Sequence, residues 1–220
     1  MNKKIFFYII FFAALITIFF IAIINLTPAL KKEINLPILS HVKPFSFTDQ
    51  DGQAFTQQDI QDKVCVVEFF FTTCHGICPR MNANMKKIAN IFTTESNFRI
   101  LSHTVNPETD TAARLKAYAD SIQANTSYWK FLTGSKERLY EAARNSYMLD
   151  DVKNNIGSVK EQFIHTQFFA VVDKDGQVRG IYDGLNELEL QKLTQNVKAL
   201  LQQKSHTNTF VNNLYSNNPR

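Results

Sequence analysis

The sequence predicts an α/β fold, in which helices flank a central β-sheet, together with one transmembrane helix at the N-terminus. Val64–Phe71 is almost entirely β-branched or aromatic, which is typical of a central strand that is buried on both faces. A short loop with two cysteines follows this strand, and an amphipathic helix begins at Pro79. Ile5–Ile24 carries no charged side chain. These three observations define the expected fold class.

Composition limits the function classes that the chain can belong to. The chain has 220 residues, of which 45% are hydrophobic and 20% are charged, and its formal net charge is +4. After the N-terminal segment, enough chain remains for one domain with a sizeable core. The basic residues form no stripe with interleaved aromatic residues, so nucleic acid is not an expected partner. Three cysteines are too few for a disulfide scaffold.

The apolar N-terminal segment is expected to be an uncleaved membrane anchor. At about 1.5 Å per residue, Ile5–Ile24 spans about 30 Å, the thickness of the hydrocarbon core of a bilayer. A cleaved signal peptide has a shorter apolar run that ends at a small-residue cleavage site, and Asn25–Ala29 makes a poor one. The segment therefore favours a transmembrane anchor at residues 5–24.

The charges that flank the anchor indicate its orientation. Lys3 and Lys4 favour a cytoplasmic position for residues 1–4, although Lys31 and Lys32 on the far side weaken this bias. We expect a single-pass protein of the cytoplasmic (inner) membrane, with its soluble domain on the outer, periplasmic face.

The domain is expected to follow a tether and to begin with a hairpin. Residues 25–43 are expected to form the tether, because its prolines keep the chain extended. Residues 44–204 form the expected domain. Its first elements are a strand at Phe45–Thr48, a turn at Asp51-Gly52, a second strand at Ala54-Phe55 and a helical turn at Thr56–Ile60.

Helices and strands alternate after the central strand. The helix that begins at Pro79 carries four apolar residues on one face, namely Met81, Met85, Ile88 and Phe92. Its two methionines are expected to be core residues rather than thioether ligands. A strand at Phe98–Val105, a helix at Thr109–Gln123, a strand at Trp129–Thr133 and a helix from Ser135 to about Ser146 follow.

The C-terminal part of the domain is expected to be a loop, a hairpin and a helix. Tyr147–Phe163 has no clear periodicity and is expected to be a long loop or an irregular hairpin. The remaining elements are a hairpin of Phe168–Asp173 and Val178–Tyr182, a helix from Asn186 to about Gln203, and a disordered tail at residues 205–220. A strand, a cysteine loop and a helix with a late antiparallel hairpin form a thioredoxin-like pattern.

The two cysteines of the loop are the candidate functional residues. Pro79 places Cys78 at the expected N-cap of the helix, where the helix dipole and free N–H groups favour a thiolate. Cys74 lies in the loop just before it, and the pair could also close as a disulfide. Cys65 lies among valines in the central strand and is expected to be a buried, inert thiol. His103, on the next strand, is expected to be structural.

These residues resemble those of the Sco/SenC family of membrane-anchored, thioredoxin-like copper-binding proteins. The resemblance rests on Phe69–Pro79, which reads Phe-Phe-Phe-Thr-Thr-Cys-His-Gly-Ile-Cys-Pro, and on His165 before the strand Phe168–Asp173. It extends from Pro44 to about Leu201. The family motif, Cys-x-x-x-Cys-Pro with a distant histidine, falls on Cys74, Cys78 and His165, which implies that these three residues bind a metal.

The chemistry of this ligand set favours copper. Two thiolates and one imidazole form a soft, three-coordinate site, which suits Cu(I). Structural zinc usually takes four protein ligands, but a catalytic zinc could use two cysteines, a histidine and water, so zinc remains a competitor. His75, between the two cysteines, is the alternative to His165 as the third ligand. The resemblance leaves the copper oxidation state, Cu(I) or Cu(II), open.

The resemblance implies a role in assembling the copper site of cytochrome c oxidase. The expected partners are the copper-bearing subunit of that oxidase, or another copper-receiving protein, and a thiol reductant. The alternative function is a thiol–disulfide oxidoreductase that keeps partner cysteines reduced, with Cys74 and Cys78 as the redox pair. A peroxidase-like enzyme of the same fold would need an activating arginine, for which only Arg80 is adjacent.

Two positions depart from the family pattern. The usual Val-Asp-Pro after the second strand is Val105-Asn106-Pro107 here, so an acidic group expected near the site is missing. The usual Asp-His-Ser is Ile164-His165-Thr166. These changes concern fine tuning and partner choice more than metal binding.

Overall fold

The computed structural model describes residues 3–26, 36–150, 164 and 166–205. Helix α1 (Lys3–Leu26) and the domain that begins at Leu36 are separate units. The side chains of residues 4–23 are exposed, and the segment Lys4–Ile23 is long and apolar enough to cross a membrane. No other helix in the described ranges meets this criterion. An N-terminal apolar helix, as predicted, is therefore present.

The domain is built on a mixed sheet with flanking helices. Its strands are β1 (Ser40–His41), β2 (Ser46–Asp49), β3 (Ala54–Thr56), β4 (Val64–Phe70), β5 (Phe98–Thr104), β6 (Trp129–Thr133), β7 (Phe168–Val172) and β8 (Gln177–Asp183). Its helices are α2 (Cys78–Ile91), α3 (Ala112–Ser121), α4 (Lys136–Glu141) and α5 (Glu187–Gln202). A 3₁₀ turn occupies Gln57–Ile60, and a π-helical turn, Ala142–Ser146, extends α4.

The strand order across the sheet is β1-β8-β7-β4-β5-β6-β2-β3. The central strands β4, β5 and β6 are parallel, whereas β7 runs antiparallel to β4. Every residue of β4 is buried, as its β-branched and aromatic composition predicts. The carboxyl ends of β4 and β5 therefore meet at one edge of the sheet, and the cysteine loop leaves from this edge.

Side chains alternate between the two faces of the sheet along β4. Val64, Val66 and Phe70 belong to one buried cluster, which α2, α3 and α5 cover; this side is called the α2 face. Cys65 and Val67 belong to the other cluster, which residues of α4 and the β2–β3 hairpin cover; this side is called the α4 face. Two independent cores thus fix the orientation of β4.

The predicted hairpins, strands and helices are confirmed with boundaries that move by a few residues. Gly52 and Gly176 have positive φ angles of 77° and 73° at the two predicted turns, which glycine adopts without strain. Met81 and Met85 are fully buried, so the prediction that they are core residues is confirmed. The predicted loop at Tyr147–Phe163 lies outside the described residues from position 151 onward, as does the predicted tail from position 206.

The C-terminal part of the predicted tether is instead part of the domain. Ser40 and His41 pair with β8, and the backbone N–H groups of Leu39 and Val42 donate to Val178 O and Gly176 O, each at 2.8 Å. The Val42 side chain is buried. Prolines that keep a tether extended equally suit an edge strand, which needs fewer ladder hydrogen bonds. The domain therefore begins at Leu36 rather than at position 44.

Candidate metal and redox centre

The cysteine loop is a tight connection between β4 and α2. The N–H of Cys74 donates to Phe71 O at 3.2 Å, which closes a turn directly after the strand. Cys78 is the first residue of α2, and Pro79 occupies the first helical turn, where its missing N–H is not needed. The helix therefore begins one residue earlier than predicted, and its N-cap is Ile77 rather than Cys78.

Cys74 and Cys78 are both free thiols, and three residues of the loop separate them. Each thiol contributes to the shifted pKa of the other, and the backbone N–H groups of Gly76, Ile77 and Cys78 act on the Cys74 sulfur. Cys74 is half-buried, whereas Cys78 is buried against the core of the α2 face. Both cysteines thus lie in the connection that follows the carboxyl end of the central strand.

The local environment gives the two thiols opposite properties. Partial burial raises the pKa of Cys74, but the hydrogen bonds from Cys78 and from three backbone N–H groups outweigh it, so that the pKa is lowered. Burial and the hydrogen bond to Cys74 raise the pKa of Cys78. The lowered thiol pKa that the sequence predicts at Cys78 is therefore found at Cys74 instead, because the backbone N–H groups at the start of the helix lower the pKa of Cys74, whereas burial raises that of Cys78.

His165, the predicted third ligand, lies outside the described residues. Its neighbour Ile164 is buried in the core of the α4 face, and Thr166 Oγ1 accepts a hydrogen bond from Phe168 N at 3.3 Å. Because β7 pairs antiparallel with β4, Phe168 begins its strand at the carboxyl end of β4. This is the edge of the sheet that carries the cysteine loop.

The other candidate residues are now placed. His75 is exposed in the loop, and Arg80 is exposed on α2. Within residues 3–26, 36–150, 164 and 166–205, no three side chains of His, Cys, Asp or Glu cluster closely enough to hold a metal. Cys65 is fully buried, and burial raises the pKa of its thiol to about 12, in agreement with the predicted inert role. His103 is fully buried as well.

Glu68 is a buried carboxyl that the sequence prediction did not single out. It lies on the α2 face, and its Oε1 accepts a 2.6 Å hydrogen bond from Ser102, which in turn accepts one from Trp129 Nε1 at 2.8 Å. Burial raises the pKa of Glu68 to about 7, and its negative charge contributes to the raised pKa of Cys78. A single acidic residue in an otherwise apolar strand was the signal available in the sequence.

Asp110 is a second acidic residue at the edge of the site. It is fully buried, and both of its carboxylate oxygens accept hydrogen bonds, two of them from Thr72 at the start of the cysteine loop. Thirty-eight positions separate the two residues in the sequence, so no local pattern could have linked them. Asn106 replaces the acidic residue of the family pattern, but the edge of the site still holds a carboxylate.

Comparisons with known proteins agree with this architecture. A family model described as SCO1/SenC matches residues 38–202. The SCO1 protein homolog of Bacillus subtilis (strain 168) is 32% identical over 170 residues, which cover 76% of this chain and 86% of the relative. A protein from Stutzerimonas stutzeri whose name assigns copper binding is 25% identical over 147 residues, 66% of this chain and 70% of its own.

Solved structures lead to the same family. The structure of BsSco, described as having a disulfide switch and as a member of the Sco family of cytochrome c oxidase assembly proteins, is 29% identical with a TM-score of 0.66. This match covers 79% of the chain described here and 100% of the other. The resemblance and the thioredoxin-like fold class predicted from the sequence are both confirmed.

Proposed function

The chain belongs to the SCO1/SenC family, and from this premise we propose that it is a membrane-anchored copper chaperone. It binds Cu(I) as cargo through Cys74, Cys78 and His165, and it delivers this copper for the assembly of the copper site of cytochrome c oxidase. The family membership supports this role, as do a relative named for copper binding and a structural neighbour from a family of cytochrome c oxidase assembly proteins.

The observation that carries the proposal is the pairing of the two sulfurs. A soft cation needs two thiolates that are already close together, and here only three residues separate Cys74 from Cys78 in the tight connection between β4 and α2, where each thiol shifts the pKa of the other. The lowered pKa of Cys74 makes its thiol the easier of the two to deprotonate, and binding of Cu(I) displaces the protons of both thiols. Two thiolates and one imidazole then match the low coordination number that Cu(I) accepts.

The apolar helix α1 supplies the proposed location. It anchors the protein in the cytoplasmic membrane, and Lys3 and Lys4 favour a cytoplasmic N-terminus, which puts the domain on the periplasmic face. In that oxidising compartment the two thiols close to a disulfide unless a thiol reductant acts on them. The proposed partners are therefore such a reductant and the copper-bearing subunit of the oxidase.

The experiment that tests the proposal compares two histidine variants of the full chain in detergent. His165→Ala should lower the affinity for Cu(I), measured by competition with a chromophoric chelator, by at least about 100-fold, which corresponds to about 2.7 kcal/mol. His75→Ala is the matched control, since this exposed histidine lies between the same cysteines, and it should stay within about twofold of the parent. Equal affinity of His165→Ala and the parent would rule out the three-ligand site.

A second function, thiol–disulfide exchange, is favoured by the asymmetry of the two pKa values. A lowered pKa at the half-buried Cys74 makes this sulfur the attacking group, and the buried Cys78 can then resolve the mixed disulfide. The same His165→Ala variant separates the two functions, because disulfide exchange with dithiothreitol needs no third ligand. Loss of copper affinity with an unchanged exchange rate supports the chaperone.

A further inference from the structure

Asp110 is a buried acidic residue with an unusually complete set of donors around it. It follows the turn after β5, where its backbone N–H donates to Asn106 O at 2.9 Å. Its side chain is fully buried at the edge of the sheet that carries the cysteine loop. A buried carboxylate is costly unless several donors satisfy its oxygens. The donors that face it therefore indicate what Asp110 holds in place.

Three of these donors come from Thr72 and Thr104, at the carboxyl ends of β4 and β5. The Thr72 hydroxyl donates to Oδ1 at 2.5 Å, and the Thr72 backbone N–H donates to Oδ2 at 3.1 Å. The Thr104 hydroxyl donates to Oδ2 at 2.6 Å. Arg114 Nε lies 3.8 Å from Oδ1 and donates to Thr72 Oγ1 at 2.7 Å. The Thr72 hydroxyl thus donates and accepts at the same time.

Thr72 is the residue through which this network reaches the site. It lies inside the turn that Cys74 N closes on Phe71 O, two positions before the cysteine. Asp110 holds both the backbone and the hydroxyl of Thr72, so it fixes the direction in which the chain leaves β4. Thr73, the next residue, is exposed and none of the hydrogen bonds seen in the described part of the chain involves its side chain.

We infer that Asp110 is a positioning residue of the cysteine pair, which acts through Thr72 to fix the turn that presents Cys74. Only the test by Cu(I) affinity rests on the proposed function, because a positioned Cys74 would serve disulfide exchange equally well. It also explains why a carboxylate is needed. A carboxylate accepts at both oxygens, whereas an asparagine would turn an amide N–H₂ toward the donor of either Thr72 or Thr104.

Thr72→Val and Thr73→Val form a matched pair that tests the inference in the full chain. Both replace a threonine of the same turn by its isostere, but only Thr72→Val removes the hydroxyl bonded to Asp110. We expect Thr72→Val to shift the equilibrium constant of the Cys74–Cys78 disulfide with glutathione by about tenfold or more, which corresponds to about 30 mV. Thr73→Val and the conservative Thr72→Ser should remain within about twofold of the parent.

A purely structural role of the network is tested by Thr104→Val. This variant removes a donor to the same carboxylate from β5 without touching the loop, so it should lower the urea midpoint and leave the glutathione equilibrium within about twofold. If Thr72→Val fails to fold, Thr72→Ala also removes the hydroxyl but does not introduce the branched side chain of valine. A glutathione equilibrium constant that is the same in Thr72→Val, or in its substitute Thr72→Ala, as in Thr73→Val and Thr104→Val would overturn the inference.

The readouts also separate this inference from the proposed function. The disulfide equilibrium is measured without copper, so it tests the role of Asp110 even if the parent binds no Cu(I). If the parent binds Cu(I), Thr72→Val should weaken the affinity at least about tenfold relative to Thr73→Val. Asp110→Asn should shift the disulfide equilibrium constant and the Cu(I) affinity in the same direction as Thr72→Val does. A shift of either quantity in the opposite direction would contradict the assignment.

Discussion

The two faces of the sheet each bury a cysteine together with an acidic or a basic side chain, but in opposite surroundings. The α2 face contains Cys78 and Glu68, and the α4 face contains Cys65 and His103. Glu68 and His103 are close in the sheet, because β4 and β5 pair Glu68 with Ser102 and Phe69 with His103. One pair of strands therefore separates a cysteine and a carboxyl on one side from a cysteine and an imidazole on the other.

The α2 face gives its polar groups partners. Ser102 and Trp129 form a hydrogen-bonded chain to Glu68. Asn82, on α2, donates to both Cys78 O and the hydroxyl of Tyr118. One oxygen of Glu68 and the side-chain oxygen of Asn82 lack a partner among the described residues, so this face is polar but incompletely paired. It leads directly to the cysteine loop.

The α4 face surrounds its titratable group with aromatic rings. His103 stacks on Phe69 at a centroid distance of 5.0 Å and makes an edge contact with Phe47 at 5.1 Å. In the part of the chain that the structure describes, neither ring nitrogen of His103 has a hydrogen-bond partner, nor has the hydroxyl of Tyr147. The comparison shows that burial raises the thiol pKa of Cys65 and of Cys78 alike, whereas the backbone N–H groups of the loop lower it only at the half-buried Cys74 beside the α2 face.

The two faces should also respond to pH in opposite directions. Burial raises the pKa of Glu68 to about 7, so the folded state binds more protons than the unfolded state between about pH 4.5 and 7, and stability falls as the pH rises. Burial lowers the pKa of His103 to about 3, so the unfolded state binds more protons between about pH 6.5 and 3, and stability falls as the pH falls. Between about pH 4.5 and 6.5, the two groups therefore change the slope of stability against pH by similar amounts and with opposite signs.

The largest expected difference between the faces is in thiol reactivity. In the reduced native protein, iodoacetamide should modify Cys74 at least about 1,000-fold faster than Cys65, because Cys65 is fully buried and becomes accessible only when the domain unfolds. Mass spectrometry of the labelled peptides measures both rates. In urea above the unfolding transition the cysteines should react at similar rates. Rapid labelling of Cys65 in the native protein would show that the α4 face is open.

Sequence patterns predicted those features of the fold that depend on neighbouring residues. The composition of Val64–Phe71 predicted the central strand, and the positive-φ turns at Gly52 and Gly176 follow from Asp-Gly pairs between alternating segments. Asn186 was placed correctly at the start of α5, where its side chain accepts hydrogen bonds from Leu188 N and Glu189 N. Capping, turn chemistry and periodicity act within a few residues, so the sequence contains them.

Features that depend on pairing between distant segments could not be predicted. Glu68 meets Ser102 only because β4 and β5 pair in one register, and Asp110 meets Thr72 because the turn after β5 lies beside the end of β4. The edge strand at Ser40 forms against β8, far along the chain, so a local pattern suggested a tether instead. In the candidate site, the cysteine pair was predicted by spacing, whereas the direction of the N–H groups that favours Cys74 depends on the backbone.

A charge-removing substitution on the α2 face should have the second largest effect. Glu68→Gln should stabilise the domain by about 3 kcal/mol at pH 8 and by little at pH 4. At pH 8 the parent has to bury a charged carboxylate, and the cost corresponds to the rise of its pKa from 4.5 to about 7. The glutamine keeps an acceptor for Ser102. Urea titrations at several pH values measure this change, and the fluorescence of Trp129, the one tryptophan of the chain, reports on the domain.

The control for this substitution is Glu95→Gln, which makes the same chemical change at an exposed glutamate. It should alter the free energy of unfolding by no more than about 0.5 kcal/mol at any pH. If Glu68→Gln gave no more stabilisation at pH 8 than Glu95→Gln, the carboxyl of Glu68 would have to be paired or hydrated in solution. The contrast between the two faces would then be weaker than their contacts indicate.

The smallest of the three effects is expected on the α4 face. His103→Phe should remove the acid-side loss of stability, because the parent must keep this imidazole neutral in its aromatic surroundings while the unfolded chain protonates. Between pH 8 and pH 5, the free energy of unfolding should fall by about 2 kcal/mol more in the parent than in the variant. This figure follows because pH 5 lies about 1.5 pH units below the pKa of about 6.5 that histidine has in the unfolded chain.

Tyr147→Phe separates this titration from a general effect of polar groups on the α4 face. It removes an unpaired buried hydroxyl beside His103 but no group that titrates between pH 3 and 8, so it should shift the stability equally at both pH values. His103→Phe should instead change the slope of stability against pH, and Glu68→Gln should change it with the opposite sign. Parallel curves for His103→Phe and the parent would mean that the imidazole finds a partner when it is protonated, and that the α4 face is not sealed around it.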